Sequence, residues 1–185
     1  MKKNKPLIVI TLLLLISTVL FAYRIFELNN QLKQSSDIID SLKFSEFVNL
    51  NNSIQLISDE LMDYNNYVNE KELYLSLIGN EGLHLNQIGM NLRRLFNFGD
   101  LIYEEHIWKI EKFVIDISRG RLTDEEKILQ VAIVMDEQQK KLHDMFFSDN
   151  AIGVDGLNEE VNIERIISIL DIIVEEINEV NSNIN

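Results

Sequence analysis

Through most of the chain apolar residues recur at alternating spacings of three and four, the pattern of helices that bury one stripe. Ahead of that pattern, Pro6 to Tyr23 forms a run without a single charged residue. Wound as a helix at 1.5 Å per residue it is about 27 Å long, close to the hydrocarbon thickness of a bilayer. The run therefore predicts a transmembrane anchor over residues 6–23. Lys2, Lys3 and Lys5 precede it and no acid occurs before Glu27, so the positive-inside rule predicts a short cytoplasmic tail, 1–5, with the remainder outside. Tyr23 suits the headgroup level and Arg24 can extend its charge to water. A cleaved signal peptide is the rival reading. The run exceeds the roughly 7–15 residues of a signal-peptide apolar region, and Leu20 is too large to sit two positions before a cut at Ala22. The anchor is expected to be retained.

Beyond the run, Leu28, Leu32, Ile39 and Leu42 keep one register, reading as a helical stalk over 24–43. The phase slips near Lys43. Phe47, Leu50, Ile54, Ile57, Leu61, Tyr64, Val68, Leu75 and Ile78 then fit a second seam, interrupted by Lys71. Asn29–Asn30 and Asn51–Asn52 are weak helix positions where bends are expected. Gly79, Asn80 and Gly82 are expected to end this helix, which spans about 44–78.

A second helix is predicted over about 83–119, with Leu85, Ile88, Leu92 and Leu95 and then Tyr103, Ile107, Ile110, Val114 and Ile117 inward. Gly99–Asp100 interrupts it, Asp100 being a plausible N-cap for a restart, and Gly120 suits its C-terminal cap. Thr123 to Glu126 reads as a capping box opening a third helix, about 123–147, whose seam includes Gln138. The fourth, about 158–184, is the most regular: Ile163, Ile166, Leu170, Ile173, Ile177, Val180 and Ile184, with Glu159, Glu160 and Glu164 at its N-terminal end.

Matching lengths and short connections predict an all-α domain over 44–185, an antiparallel, up-down-up-down four-helix-bundle-like and coiled-coil-rich structure. A longer coil that completes its core by dimerising is the alternative. The expected architecture resembles, in general form, the extracytoplasmic four-helix sensor modules of bacterial chemoreceptors. Those receptors also carry a second membrane helix and a cytoplasmic signalling part, which these 185 residues do not contain.

Composition sharpens this picture. One proline and seven glycines favour long helices. The absence of cysteine excludes disulfides, thiolate metal sites and thiol nucleophiles. Abundant Asn, Ile and Lys hint at an AT-rich bacterial genome. The net charge is -13, and three of the 17 bases lie ahead of the apolar run where no acid lies, so the remainder is more acidic still. With no basic stripe, nucleic acid is not an expected partner.

Candidate chemistry is sparse. Glu81 and His84 have the Glu-x-x-His spacing of di-iron bundles, but such a site needs a second pair and two more inward glutamates. A surface pair is the plainer reading. His106, after Glu104 and Glu105, and His143, beside Asp144, are expected on solvated faces, although a carboxylate-flanked histidine can sense pH. Asp149 to Glu160 has the length of a calcium loop. Ala151, Gly153 and Val154 occupy positions that need oxygen ligands or glycine, so an ordinary loop is expected. Asn51 to Ser53 matches a glycosylation acceptor inside an expected helix.

Trp108, Phe96, Phe98, Phe113, Phe146 and Phe147 can line a pocket or a core. Phe146 and Phe147 form the expected protein-contact patch, because adjacent residues cannot both face one core. Gln138 is a candidate for fixing register. No catalytic, cofactor-binding or metal motif is present, and no glycine-rich phosphate loop. The expectation is a structural or interaction module, not an enzyme, that binds another membrane or envelope protein, or a second copy of itself. A ligand-binding sensory module reporting through a partner's membrane helix is the alternative.

Overall fold

The computed structural model describes residues 5–64, 71–149, 151–157 and 159–182, and every regular element among them is helical. Val68, Asn158 and Ile184, named in the expected seams and loop, lie outside the described residues. The chain divides into two compact units, Met1–Ile39 and Asp40–Asn185.

Helix α1 runs Lys5–Met62, its helical assignment unbroken through Asn29–Asn30 and Asn51–Asn52. In the first unit it carries a stretch long and apolar enough to cross a membrane, the only one among the described residues, with a mean hydropathy of 1.8 and none of it buried against protein.

In the second unit α1 presents Phe47, Leu50, Asn51, Ile54, Ile57, Ser58 and Leu61, all essentially inaccessible to solvent. The recurrence of buried positions at three and four explains why this stretch is helical and which face it hides. Helix α2 is Lys71–Leu95, a short α3 is Gly99–Leu101, a π-helical segment is Ile102–Ile107, and α4 is Trp108–Ser118. Helix α5 is Glu125–Phe147, α6 is the single turn Gly153–Gly156, and α7 is Glu160–Ser182.

The all-α expectation holds, while the helix boundaries differ from those expected. Gly79 and Gly82 do not end a helix; both lie inside α2. They are positions of close approach. A Cβ on Gly82 would lie 3.1 Å from Val114, and one on Gly89 would lie 2.7 Å from Tyr103 and 2.8 Å from Ile107. Gly79 meets Ser118, Gly82 meets Val114 and Gly89 meets Ile107, so α2 and α4 run antiparallel. The expected helix 83–119 is thus two helices folded back on each other through residues 96–98, and the seam assigned to 44–78 is shared between α1 and α2. Asp100 is not the N-cap of the restart: Phe98 is, without a side-chain cap, and Asp100 in the first turn pairs with Arg93 at 2.5 Å.

Helix α4 ends as expected at Gly120, whose φ is +66°. The Gly120 amide donates to Ile117 O at 2.9 Å and the Arg121 amide to Asp116 O at 2.8 Å, which is a Schellman closure. The cap of α5 is Asp124, one residue after the expected Thr123. Its carboxylate accepts from the Lys127 amide at 3.3 Å. Gln130 reaches Glu176, and Met145 shares a cleft with Arg165 and Ile169, so α5 and α7 are antiparallel too. One apolar core joins α1, α2, the π segment, α4, α5 and α7.

Candidate functional site

The expected patch at the end of α5 is split by the structure. Phe146 is buried, 6.1 Å from Phe47 and 5.7 Å from Phe44 between ring centroids, whereas Phe147 is 50% exposed and lies over His143. The pair is therefore not a joint surface, because successive helical residues point about 100° apart and only one continues the seam through Leu142 and Met145.

The histidines also sort differently from expectation. His84 and His143 are exposed, each with a carboxylate at 3.9 Å, from Glu81 and Asp144. His106 is not on a solvated face: it is 2% exposed. Its Nε2 is 2.8 Å from Asp171 Oδ1 of α7 and its Nδ1 is 3.3 Å from Leu101 O. The π turn explains the change. Its wider i→i+5 closure accommodates an extra residue, and His106 and Ile107 both end on the buried side. Among the described residues, no group of three or more His, Asp or Glu side chains converges as a metal would require.

Of two buried amides on α5, one bridges helices. Gln139 Nε2 donates to Asn51 Oδ1 at 3.1 Å, and Gln138, the residue singled out in the seam, is also buried and accepts from Lys141 at 3.0 Å. Asn51 is wholly inaccessible, so it is no glycosylation acceptor. The 149–160 segment holds the α6 turn, with Asn162 Nδ2 donating to Gly156 O at 2.9 Å.

Outside the core, one face stands out. Leu83 is 60% and Trp108 48% exposed on the α2–α4 hairpin. Two adjoining clefts, of about 450 and 240 Å³, share Leu83, Ile115 and Arg119 in their walls, and Trp108 lines the smaller. The glycine-mediated approach of α2 to α4 sets the depth of this groove. Its charges are unequally engaged. Burial pushes the Asp116 carboxyl up, but hydrogen bonds from Lys112 at 2.9 Å and Arg121 at 3.1 Å outweigh it and hold the carboxyl below its ordinary value. Glu111 accepts from Asn86. Arg119 is exposed, and among the described residues no carboxylate pairs with it. The sequence signal for this face was present: Leu83 falls off the Leu85–Ile88–Leu92 seam and Trp108 off the Ile107–Ile110 seam.

A second cleft, about 450 Å³, lies where Lys43, Phe96, Phe98, Ile163, Glu160 and Glu164 meet. Lys43 Nζ donates to Asp40 at 3.2 Å and sits 5.3 Å from the Phe96 ring centroid. Of the six candidate aromatic residues, Phe96 and Phe98 reach this cleft, Phe113 and Phe146 belong to the core, and Trp108 and Phe147 are exposed.

No protein-family model, curated protein or solved structure matches the chain.

Proposed function

We propose that this chain is a membrane-anchored helical interaction module of a bacterial envelope, with residues 1–5 in the cytoplasm, 6–23 in the bilayer and 44–185 closing as a helical bundle outside. Three lysines ahead of the span and an acidic remainder support that orientation. From Thr11 onward the span's apolar side chains have no protein cover, as lipid solvation requires.

The α2–α4 face is the docking surface of this module, and its occupant is an apolar segment of another membrane or envelope protein that carries a carboxylate for Arg119. The observation that carries this reading is the exposed Trp108 and Leu83 flanking a groove with an unengaged guanidinium. Tryptophan and arginine are enriched among the residues that dominate binding energy once a partner buries them. Arg93, Lys109, Lys112, Arg121, Lys127 and Lys140 each pair with an acid, whereas Arg119, like Arg94 and Arg165, has no such pair among the described residues, and beside apolar surface it favours an acidic complement.

The test is recovery of the full chain from its native membranes, wild type against Trp108→Ala and Leu83→Ser, with Phe147→Ser as the comparison. The expected outcome is one stoichiometric companion protein that the first two variants lose and the third keeps. An unchanged set of companions in all variants contradicts the reading.

The Lys43–Phe96–Glu160 cleft supports a second reading, a sensory module for a small amphiphilic ligand. Its volume lies in the range of small-molecule sites, and it combines aromatic walls with a lysine and two glutamates.

A further inference from the structure

The first unit carries an uncovered helix face whose residue pattern names its own occupant. After the span, Ile25, Leu28, Leu32, Ser35 and Ile39 repeat every three and four residues along α1. Ile25, Leu28, Leu32 and Ile39 are 45–66% exposed. Within the span the same heptad phase continues upstream through Thr11, Leu14, Thr18 and Phe21.

The polar residues of the span follow that phase. Thr11 and Thr18 lie on the stripe itself, and Ser17 and Ala22 flank it, while Leu12, Leu13, Ile16, Val19 and Leu20 occupy the opposite face. The Ser17 and Thr18 hydroxyls each donate to Leu14 O, at 2.9 and 2.8 Å. Their donors are thus satisfied within the helix, and what a neighbour meets is a short side chain that permits close approach, as at membrane helix interfaces.

Charge follows the phase as well. Beyond the span, Glu27, Lys33 and Asp37 all fall on the outer positions, away from the stripe. The positions that flank it, Asn29, Gln31, Ser36 and Ile38, are uncharged, and the flanking Arg24 pairs within its own helix to Glu27. In a two-stranded coil, flanking charges select the partner, and identical strands repel when those charges are alike. Neutral flanks leave no such repulsion between copies.

We infer that two copies of this chain pair in parallel through one continuous heptad seam, Thr11 to Ile39, crossing from the bilayer into water. The inference rests on the anchor reading, since copies that insert with one orientation present this seam in parallel and in register. Pairing buries Leu28, Leu32 and Ile39, which otherwise face water, and it leaves Leu12, Leu13 and Ile16 to lipid.

The chain lacks cysteine, so single introduced cysteines report pairing without background. The experiment uses the full chain in cell membranes, with Leu28→Cys, Leu32→Cys, Ser35→Cys and Ile39→Cys against Glu27→Cys, Lys33→Cys and Asp37→Cys. Each is treated with a mild oxidant, and each sample is also extracted with alkaline carbonate. Stripe positions face their counterparts within disulfide reach, and outer positions do not. The expected result is a severalfold greater disulfide-linked dimer fraction at the stripe positions, in material that resists extraction. Uniform or absent crosslinking in extraction-resistant material overturns the pairing and leaves the anchor intact. The same phased crosslinking in extractable material supports the pairing and overturns the anchor. Unphased or absent crosslinking in extractable material overturns both.

Discussion

Gln139 of α5 donates its side-chain amide to Asn51 of α1 across 3.1 Å, in a site that admits almost no solvent to either residue. The two lie on helices far apart in sequence, and the bond fixes which face of α1 meets α5. Losing one member strands the other, and a buried unsatisfied amide costs about 1–3 kcal/mol. Gln139→Leu is therefore expected to lower stability by about that much, and Asn51→Leu combined with Gln139→Leu to recover a large part of it. Urea unfolding of the two variants beside the wild type checks this.

The α2–α4 hairpin depends on Gly89. A methyl there would collide with Tyr103 and Ile107, so Gly89→Ala is expected to cost about 1–3 kcal/mol, even though alanine favours helix. Gly120 makes a different demand. Nothing lies within 4 Å of a Cβ placed on it, so Gly120→Ala is expected to cost about 1 kcal/mol through its left-handed φ of +66° alone. Thermal unfolding followed by circular dichroism separates the two. Deleting the bulk at Tyr103 relieves part of the first substitution's cost, the contact with Ile107 remaining, and leaves the second unchanged.

Two carboxyls give opposite pH signatures. Burial first, and then the charges of Asp63, Glu81 and Asp59, raise the Glu60 carboxyl above its ordinary value. A raised folded-state value stabilises at pH below the unfolded value, and that contribution is lost as pH climbs through the folded one. Glu60→Gln is thus expected to raise the melting temperature slightly near neutral pH and to do nothing in acid. Asp116 is lowered, so its contribution is present above the unfolded value and lost as pH falls through the folded one. Asp116→Asn is expected to destabilise at neutral pH and not in strong acid. Solvent screening limits each effect to about 0.5 kcal/mol. Melting curves at neutral and acid pH for both variants check the signs.

At the end of α5, Phe146→Ala is expected to cost about 3–5 kcal/mol, because the ring fills the core against Phe44 and Phe47. Phe147→Ser is expected to change stability by no more than about 0.5 kcal/mol, as its ring is half exposed. Unfolding midpoints of the two variants make the comparison.

What was legible in the sequence was local. The stripe from Ile163 to Val180 follows its period without a break, and α7 appears where that period lies. Gly120 ended α4 because a left-handed cap needs only its own residue type and its neighbours. The misreadings share a different origin. Gly79 and Gly82 look like helix breakers when only propensity is counted, and their place inside α2 is decided by Ser118 and Val114, residues of another helix. His106 resembles a surface residue beside two glutamates, and its burial depends on a π turn and on Asp171 in α7. The seam from Phe47 to Ile78 kept its phase across two helices, so periodicity alone could not mark the end of α1 at Met62. The exposed Leu83 and Trp108 were readable as apolar residues off their seams, but the groove between them needs the hairpin to exist.

Both the docking face and the paired stalk require an anchored chain with its helical domain outside the membrane. The measurement that tests this most directly is labelling of Phe147→Cys, an exposed position in a chain that has no other cysteine, with a membrane-impermeant maleimide in intact cells, followed by carbonate extraction of their membranes. An anchored chain with its domain outside gives full labelling before lysis and retention of the labelled chain in the membrane pellet. Labelling only after lysis would contradict the orientation, and release of the chain into the supernatant would contradict the anchor.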